Sequence, residues 1–489
     1  MAALMLASRP LAGALLVVLA CYAIGSLVLA QLRITLLRAE KPPLAFTLGA
    51  AVLHLVMFAV LALHIAYAPV VIGIPGALVT VAIWSGTWRL PVDGAKIAPQ
   101  PWLTRAVRWL LFAAVVFYTI LYFFNAWAPE ISPDGSTYHL PMIARYLRAH
   151  GFEAVPTDVY STLSEGVELV FLPAFSIGGG SAAALVHFSF LVALGLMIRA
   201  YARRTGHLLA GEAAAVLVYV TPVVGFDGTS AYIDAAVAAI VFSVFYWTEI
   251  WDTDRRYAVL ACIGAMSGYC YAAKYTAAVV AVYAAVFVLW RARAWRPVAL
   301  LTACAALMAV PWMLKDWIYV RNPIAPFANH YFRNPYIHVE FERYWTEFLR
   351  TYGVSDRWKI VQDVFVDGQA TGTPLGLVFL LLPLGLLALR QKPGRRLLIA
   401  GAIVLTTYFA NISTRFLLPS LPFFTLALTM TFESIPLAFL PVVLFHAWAS
   451  WPPELRRHTK AELAIQHIPV KAALRIQSED EYLRKSRDY

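Results

Sequence analysis

The sequence predicts an all-α protein, a polytopic transmembrane helical bundle of about 14 helices. Hydrophobic residues make up 61% of the chain, charged residues only 14%, and the mean hydropathy is +0.67, which is too apolar for a soluble globule. Apolar runs of about 20 residues recur along the sequence, and backbone amides within hydrocarbon require helices of that length. No alternating pattern typical of a membrane barrel is present.

The apolar runs give the positions of the predicted crossings. The first run, from about Leu11 to Leu32, is long enough to span and has no clear cleavage site, so we expect it to remain as a helix. The four cysteines lie inside apolar runs without metal-ligand spacing, and we interpret them as small core residues. The runs centre near residues 21, 56, 78, 117, 192, 217, 240, 264, 282, 306, 381, 404, 424 and 443.

The basic residues predict the sidedness of the connections. The net charge of +11 is spread over short turns and forms no continuous face, so nucleic acid is not an expected partner. Two turns, 64–69 and 222–232, contain no Lys or Arg, and the long polar connections 129–182 and 316–372 are predicted to share their non-cytoplasmic side. The alternate, basic connections are Arg33/Arg38/Lys41, Arg89/Lys96/Arg105/Arg108, Arg199/Arg203/Arg204, Arg255/Arg256, Arg291/Arg293/Arg296 and Arg390/Lys392/Arg395/Arg396.

The chain divides into three predicted parts. Residues 1–104 are N-terminal transmembrane helices, and residues 105–435 form a core that carries both long outer loops. Residues 436–489 contain the last transmembrane helix and a basic polar tail, which is too short for a core of its own. The turn before that helix, around Glu433, has no Lys or Arg, so the sequence leaves the side of the tail open.

The first outer loop is predicted to contain interfacial helices. Residues 138–150 place Leu140, Ile143 and Tyr146 at helical spacing, as expected for a helix lying at the membrane surface. Residues 165–177 are apolar but short and are broken by Pro173 and the glycines that follow, so we expect them to lie in the interface or re-enter without crossing. The second outer loop, with two Asn-Pro turns, could cover a site.

The predicted sidedness brings scattered charged residues to one membrane face. An ionised side chain near hydrocarbon costs about 2.5 to 3.5 kcal/mol, so it tends to face a cavity or a partner. Three structural alternatives stay open: Asp134 caps the interfacial helix, Asp234, Lys274 and Arg415 snorkel to the interface, and Arg321 is a solvated surface charge. Taken together, a carboxylate and several cations suit a substrate with a hydroxyl to deprotonate and a phosphate to hold. The residues are Asp134, Asp227, Asp234, Lys274, Arg321 and Arg415.

Other site chemistries are less favoured by the sequence. Asp158, Glu165 and Glu168 could ligate a divalent cation with Asp134, but no clustered acidic spacing supports this, and metal dependence is left open. A phosphate-binding loop of the G-x-x-x-x-G-K-[ST] kind is absent, which argues against a nucleotide-driven pump. His187 lies within an apolar helix and is expected to be a packed core histidine.

Several short motifs, taken in order, resemble the GT-C-type polytopic membrane glycosyltransferases, the superfamily of protein O-mannosyltransferases and aminoarabinose transferases. The resemblance covers about residues 105 to 435 and is closest to bacterial members of unassigned specificity. Two features differ: about three helices precede the first outer loop, and the chain ends soon after a segment that leads into an outer soluble domain in similar proteins. The motifs are Asp134 with Tyr138-His139-Leu140-Pro141, Tyr160-Ser161 through Glu165-Gly166-Val167-Glu168, Tyr232-Ile233-Asp234, Gly268 through Lys274-Tyr275-Thr276, Pro311-Trp312 with Asn322-Pro323 and Pro326-Phe327, and Arg415-Phe416-Leu417-Leu418-Pro419.

The resemblance implies an enzyme of the bacterial inner membrane that acts at its periplasmic face. Such an enzyme takes a sugar from a polyprenyl-phosphate donor and transfers it, with inversion, to a hydroxyl of a protein, lipid or glycan. The expected partners are membrane lipids, the lipid-linked donor, the acceptor and other membrane proteins, and no cofactor beyond the donor is assigned.

The site residues have the following expected roles. Asp134 is the general base, and Lys274 and Arg415, together with Arg321, hold the donor phosphate. Four further residues, Asp234, Tyr138, His139 and Glu165, support the site or orient the acceptor, and Asp234 either orients the acceptor or pairs with Lys274. Two alternatives remain: a transporter or flippase of a lipid-linked substrate, and a non-catalytic scaffold subunit of the same fold, in which the groove beside Asp134 is filled.

Overall fold

A computed structural model describes residues 2–92, 101–156, 158–351, 358–410, 412–433 and 435–487. Lys96 of the second basic connection, residues 352–357 of the second outer loop and Asn411 lie outside these ranges. Within them the chain is helical and contains no strand. The α-helices are Ala2–Gln31, Lys41–Ala62, Ala68–Trp84, Trp102–Trp127, Leu140–Ala149, Glu168–Thr205, Leu208–Tyr219, Pro222–Gly228, Asp234–Thr253, Tyr257–Ala273, Val279–Ala292, Trp295–Val320, Phe341–Thr351, Lys359–Gln362, Lys392–Leu405, Leu421–Thr431, Pro436–Ala449, Pro452–His458, Val470–Ala473 and Glu479–Arg487.

Shorter helical types connect these elements. All fourteen predicted centres of apolar runs fall within a helix, because each run is long enough to require one. The 3₁₀ helices are Val159–Thr162, Tyr275–Ala278, Leu377–Arg390, Thr406–Ala410 and Thr414–Leu417, and the π-helical turns are Gly135–His139 and Asp363–Asp367.

The helices make this a multi-pass membrane protein, which confirms the predicted fold class. Seven helices of the described chain are long and apolar enough to cross a bilayer, and the bent pair Leu208–Tyr219 and Pro222–Gly228, with an angle of 70°, adds an eighth if it is one span. Five shorter apolar helices accompany them. The helix Lys392–Leu405 begins with a cluster of basic residues.

One buried helix connects the two ends of the bundle. All residues from Asp234 to Trp251 of the helix Asp234–Thr253 are buried. Its first residue pairs with Lys274, whereas Asp252 near its last turn pairs with Arg396 at 2.5 Å. Since a helix rises about 1.5 Å per residue, the two carboxylates are about 27 Å apart. The candidate site and a cluster of basic connections therefore lie at opposite ends of the molecule.

The basic connections are tied together at one of these ends. Arg204 in the third connection pairs with Glu40 in the first connection, with Nη1 and Oε1 2.7 Å apart. Arg256 donates from Nη1 to the backbone oxygen of Arg33 at 2.8 Å. Contacts between separate connections place them on one side, as the charge pattern predicts. We refer to this side as the basic end and to the other as the site end.

The interfacial helix of the first outer loop forms as predicted. The turn Gly135–His139 continues directly into Leu140–Ala149, and the helix ends where His150 adopts a left-handed conformation with φ 54°. Ile143 and Tyr146 are buried, whereas Arg148 on the opposite surface is exposed. The hydrophobic spacing read from the sequence is therefore the packing face of this helix.

The apolar segment after this helix stays at the site end. It is the first part of the helix Glu168–Thr205, which is interrupted at Gly179 with φ 64° and ψ −153°, a conformation that essentially only glycine adopts. Glu168 at its start contacts His139, and Ser181 just after the break donates to the oxygen of Ala128 at 2.7 Å. Both ends of residues 168–178 therefore contact the same loop region, so the segment does not cross, as predicted.

The C-terminal tail lies at the site end. The sequence by itself did not determine the side on which the tail lies. Glu433 hydrogen-bonds to His207 at the basic end, so the following helix, Pro436–Ala449, returns toward the site end. The tail then contacts the outer loops: Lys460 donates its backbone N–H to Asp367, and Arg475 donates to Ser181 at 2.8 Å.

The N-terminal helices pack against the rest of the bundle. One continuous hydrophobic core includes residues from Ala7 to Ala473. Close helix contacts require small residues: a Cβ on Gly268 would lie 2.1 Å from the backbone oxygen of Ala305 in the helix Trp295–Val320. The division at residues 104 and 435 remains a prediction.

Candidate active site

Asp134 points its carboxylate at a cation instead of capping the helix that follows it. It occupies the position before the turn Gly135–His139 but makes no capping hydrogen bond. Its Oδ2 accepts a hydrogen bond from the hydroxyl of Tyr138 at 3.0 Å and lies 2.6 Å from Nη1 of Arg415. The capping alternative is therefore wrong, because the side chain faces away from the free backbone amides of the turn.

Four of the predicted site residues form one chain of alternating charge. Arg415, which pairs with Asp134, also lies with Nε 3.8 Å from Oδ2 of Asp234. The other oxygen of Asp234 accepts a hydrogen bond from Nζ of Lys274 at 2.5 Å. We call Asp134, Arg415, Asp234 and Lys274 the charge cluster. Asp234 is 4% exposed and the other three are 24 to 26% exposed, so the cluster is buried on one side and accessible from the other.

The backbone around Lys274 explains how it reaches the cluster. The helix Tyr257–Ala273 ends there, and Lys274 is extended with φ −165° before the 3₁₀ turn Tyr275–Ala278. The next residue, Tyr275, donates its hydroxyl to the backbone oxygen of Ala325 at 3.0 Å, which ties this turn to the second outer loop. The ammonium group of Lys274 is therefore positioned by the carboxylate of Asp234 and does not snorkel to the interface.

Asp363 in the second outer loop holds the backbone next to Arg415. Its buried carboxylate accepts hydrogen bonds from the backbone N–H groups of Gln369, Ala370 and Thr371 at 2.6 to 3.1 Å. The backbone oxygen of Thr371 in turn accepts a hydrogen bond from the N–H of Thr414 at 2.8 Å. Sequence analysis missed Asp363, because the sequence does not show that a single acid in a polar loop accepts hydrogen bonds from three backbone N–H groups.

Aromatic rings flank the cations of the charge cluster. The guanidinium of Arg415 lies 5.0 Å from the ring centroids of Tyr232 and Phe416, and Nζ of Lys274 lies 4.2 Å from the centroid of Phe416. Cation–π contacts of this kind stabilise a partly desolvated cation. Both aromatic residues belong to motifs identified in the sequence, Tyr232-Ile233-Asp234 and Arg415-Phe416, but their contact with the cations could not be read from it.

Tyr138 and His139 support the cluster in different ways. The ring of Tyr138 stacks on Tyr160 with centroids 4.2 Å apart and an angle of 6° between planes, which orients its hydroxyl toward Asp134. His139 is buried, and its Nδ1 lies 2.7 Å from Oε1 of Glu168. His139 therefore packs beneath the site, where it orients the loop that carries Asp134.

Electrostatic interactions keep Arg415 charged and Tyr138 neutral. Burial acts to lower the pKa of Arg415, but Asp134 and Asp234 outweigh it, so the pKa of this guanidinium is raised. Burial raises the pKa of the Tyr138 phenol, and the negative charge of Asp134 raises it further. Tyr138 thus remains a hydrogen-bond donor to Asp134, and Arg415 remains a cation, across the physiological pH range.

Glu165 lies in a separate buried group instead of the charge cluster. Burial raises the pKa of its carboxyl to about 8, with Lys315 opposing and Glu168 adding to the effect. Its Oε2 has no hydrogen-bond partner among the described residues. Glu165 is therefore largely protonated at neutral pH, and its predicted contact with the acceptor remains a prediction.

Replacing Glu165 with Gln is expected to remove a pH dependence of folding stability. Its carboxyl has a pKa of about 8 in the folded protein against an ordinary value of 4.5, so the folded state binds more protons than the unfolded state between these values. Wild-type stability then falls as pH rises through this window, by up to about 1.4 kcal/mol per pH unit. Gln stays neutral in both states, so Glu165→Gln should gain stability relative to wild type as pH rises.

The measurement is thermal unfolding of both proteins in detergent from about pH 5 to pH 8. Glu153→Gln, which changes a half-exposed acid of the same loop, is the matched control and should follow wild type. A difference between Glu165→Gln and wild type that stays constant with pH would contradict a buried, protonated carboxyl.

Two further predicted residues lie outside the charge cluster. Arg321 is exposed at the end of the helix Trp295–Val320, and it makes no ion pair within the described ranges. Its part in donor binding remains a prediction. Asp227 is buried and accepts a hydrogen bond from the backbone N–H of Ala235 at 2.7 Å, which orients the start of the helix that carries Asp234.

The described part of the chain contains no group of side chains suited to a metal ion, and its cavities of about 280 and 10 Å³ do not involve the charge cluster. In the part of the chain that the structure describes, no group of three or more His, Cys, Asp or Glu side chains is placed to hold a metal ion. Two cavities lie away from the charge cluster. One of about 280 Å³ is at the basic end beside Lys41, and one of about 10 Å³ lies beside His446. None of the charge-cluster residues lines either of these cavities, and Asp134, Arg415 and Lys274 are 24 to 26% exposed.

Comparison with known proteins gives one distant likeness. No protein-family model matches the chain, and no curated protein matches it. The chain is similar to the crystal structure of ArnT from Cupriavidus metallidurans bound to undecaprenyl phosphate, with 15% sequence identity, coverage of 78% of each chain and a TM-score of 0.43. Similarity at this level does not assign the chain to a family.

Proposed function

We propose that this protein is a membrane glycosyltransferase that moves a sugar from a polyprenyl-phosphate donor to an acceptor hydroxyl, with inversion. The observation that carries the proposal is the accessible charge cluster, in which a carboxylate that can accept a proton is directly paired with a cation that can bind a phosphate. The motif resemblance described above supports the same chemistry.

In the proposed mechanism, Arg415 breaks its ion pair with Asp134 and binds the donor phosphate. Without donor, Arg415 contacts Asp134 and lies close to Asp234, while Lys274 is held by Asp234. The phosphodiester of the donor carries one negative charge shared by two oxygens, and it can be bound by both cations at once. Donor binding would thereby release the carboxylate of Asp134 for its role as a base.

Asp134 then accepts the proton of the acceptor hydroxyl. Its Oδ2 is held by Tyr138, whereas Oδ1 has no hydrogen-bond partner among the described residues and faces the acceptor in this proposal. The acceptor oxygen forms a bond to the anomeric carbon of the sugar from the side opposite the phosphate. The bond from that carbon to the phosphate oxygen breaks, and polyprenyl phosphate leaves with its new negative charge stabilised by Lys274 and Arg415.

We further propose that the reaction takes place at the non-cytoplasmic face of a bacterial inner membrane. The basic connections that bind one another through Arg204 and Glu40 lie at the other end of the bundle, and the positive-inside rule assigns such connections to the cytoplasm. The helix Asp234–Thr253 is long enough to separate the two ends by most of the hydrocarbon thickness, about 30 Å.

A comparison of cells with and without the protein tests this function and identifies the substrates. Mass spectrometry of lipids and glycans is expected to show a polyprenyl-phosphate sugar that accumulates, and a glycosylated product that disappears, when the gene is deleted. Wild-type protein should restore the product, and the Asp134→Asn variant should not. Restoration by Asp134→Asn to the wild-type level would contradict the proposal, since a scaffold or a transporter does not need this carboxylate as a base.

A further inference from the structure

A second potential binding site lies at the basic end, opposite the charge cluster. A cavity of about 280 Å³ opens between the end of the helix Ala2–Gln31, the start of the helix Lys41–Ala62 and the turn that follows Ala68–Trp84. The proposed transfer reaction does not use this cavity, since the two are separated by the length of the bundle.

The charged residues in the cavity walls are basic. Lys41 and Arg89 line the cavity together with the hydroxyl of Thr87, and none of its described lining residues is acidic. Nζ of Lys41 donates hydrogen bonds to the backbone oxygens of Thr87 and Arg89 at 2.7 and 2.6 Å. These bonds hold the ammonium in the wall, and neither cation forms an ion pair within the described ranges.

The acid that precedes Lys41 in the sequence does not neutralise this charge. Glu40 precedes Lys41, but its side chain is buried and accepts hydrogen bonds from Arg204, Tyr246 and the backbone N–H of Leu37 at 2.7 to 2.9 Å. None of these three partners lines the cavity. Among the residues that the structure describes, the cavity lining therefore carries an excess of positive charge.

The side chain of Ser26 forms part of the cavity wall. Ser26 is 1% exposed, and its Oγ has no hydrogen-bond partner among the described residues. The neighbouring Tyr22 directs its own hydroxyl to the backbone oxygen of Trp88 at 2.9 Å. The Ser26 hydroxyl is therefore buried within the wall beside Tyr22, and the polar side chains that a ligand meets in the cavity include those of Lys41, Thr87 and Arg89.

We propose that this cavity binds a phosphate ester. Arg and Lys bind phosphate oxygens through charge-assisted hydrogen bonds, and Arg89 and Lys41 supply both cations in the lining of this cavity. The volume is just below that of typical ligand pockets, about 300 Å³ and above, so the ligand is the size of a lipid headgroup and not of a whole lipid-linked sugar. The apolar side chain of Leu29 in the lining suits the carbon atoms next to the phosphate.

The test uses the full chain, purified in a neutral detergent, and native mass spectrometry or calorimetry. The probes are short-chain phosphatidylglycerol, glycerol phosphate and short-chain diacylglycerol, which lacks phosphate. Phosphatidylglycerol is expected to bind saturably and diacylglycerol not to compete with it. Glycerol phosphate that binds equally well assigns the site to a free phosphate ester, whereas binding of the lipid alone assigns it to a headgroup. Absence of saturable binding for both phosphate probes would overturn the proposal.

Three variants separate the cavity from general surface charge. Arg89→Gln is expected to weaken binding about 10 to 100-fold, since it removes a charge-assisted hydrogen bond. Ala30→Leu keeps every charge but fills space in the cavity, so it should also weaken binding. Arg105→Gln, an exposed arginine of the basic end outside the lining, is the matched control and should leave binding unchanged. Equal loss in Arg89→Gln and Arg105→Gln, or no effect of Ala30→Leu, would contradict a site in this cavity.

Discussion

The purified Asp134→Asn variant is expected to transfer sugar about 10² to 10⁴ times more slowly than wild type, the usual contribution of a positioned general base. Asn has nearly the same size and can still accept the hydrogen bond from Tyr138, but it cannot take a proton from the acceptor. The measurement is the initial rate at which polyprenyl phosphate is released from a polyprenyl-phosphate sugar in the presence of acceptor.

The same variant is expected to bind the donor at least as tightly as wild type. In the wild-type protein the donor phosphate competes with Asp134 for Arg415, and that competition disappears with the carboxylate. A large loss of rate without a loss of donor affinity would therefore separate a base from a residue that binds the donor.

A matched control is available on the same side of the protein. Asp480 is an exposed carboxylate in the C-terminal tail, so Asp480→Asn changes the charge of the site end without touching the charge cluster. It should transfer sugar at the wild-type rate. Transfer by Asp134→Asn at a similar rate would remove Asp134 from its proposed role.

Variants of Lys274 and Arg415 are expected to weaken donor binding about 10 to 100-fold each, since each removes a charge-assisted hydrogen bond to the phosphate. The variants are Lys274→Gln and Arg415→Gln, and the measurement is the affinity of the protein for polyprenyl phosphate in detergent. Unchanged affinity in both would exclude them as the phosphate site.

Loss of folding must be distinguished from loss of binding in these variants. Removing Lys274 leaves Asp234 buried without its closest cation, and breaking such a pair costs several kcal/mol. The double variant Lys274→Gln with Asp234→Asn removes both charges and should recover much of the lost thermal stability. It should still bind the donor weakly, because the phosphate contact is absent in both proteins.

Two arginines of the second outer loop serve as comparisons for the expected loss of donor affinity. Arg333 is exposed and makes no ion pair within the described ranges, so Arg333→Ala should leave donor affinity unchanged. Arg321→Ala should have a smaller effect than Lys274→Gln, since an exposed charge interacts with the donor through water and salt. An Arg321→Ala variant that loses as much affinity as Lys274→Gln would place the donor phosphate nearer to the second loop than we propose.

Helix positions and sidedness were predictable because they depend on local properties of the chain. A run of about 20 apolar residues has to be helical in hydrocarbon, so the segments around residues 21, 240 and 306 could be assigned without any knowledge of their neighbours. The alternation of basic connections likewise predicted that Arg33 and Arg256, far apart in sequence, lie on one side, where they contact each other.

The candidate site could be named from sequence only in part. Motifs and sidedness selected Asp134, Asp234, Lys274 and Arg415, and the structure brings these four together. The pairing of Asp234 with Lys274 was one of the two roles expected from the sequence, but the partner of Asp134 could not be predicted: an Asp before a helix is more often a cap, and only the position of Arg415 shows that this one is not. The sequence places Glu165 in the same outer loop as Asp134 and so suggests a supporting role for it. Its side chain is buried near Lys315 and Glu168, apart from the charge cluster.

The amino-acid sequence therefore specified the helices, the two membrane sides and the charged residues that one side contains, since hydropathy and charge act through nearest neighbours and the bilayer. The packing of distant segments decided which carboxylate meets which cation, where Asp363 holds the loop of Arg415, and that the tail returns to the site end. These features depend on contacts between residues separated by many helices, and their energies arise only once the chain has folded.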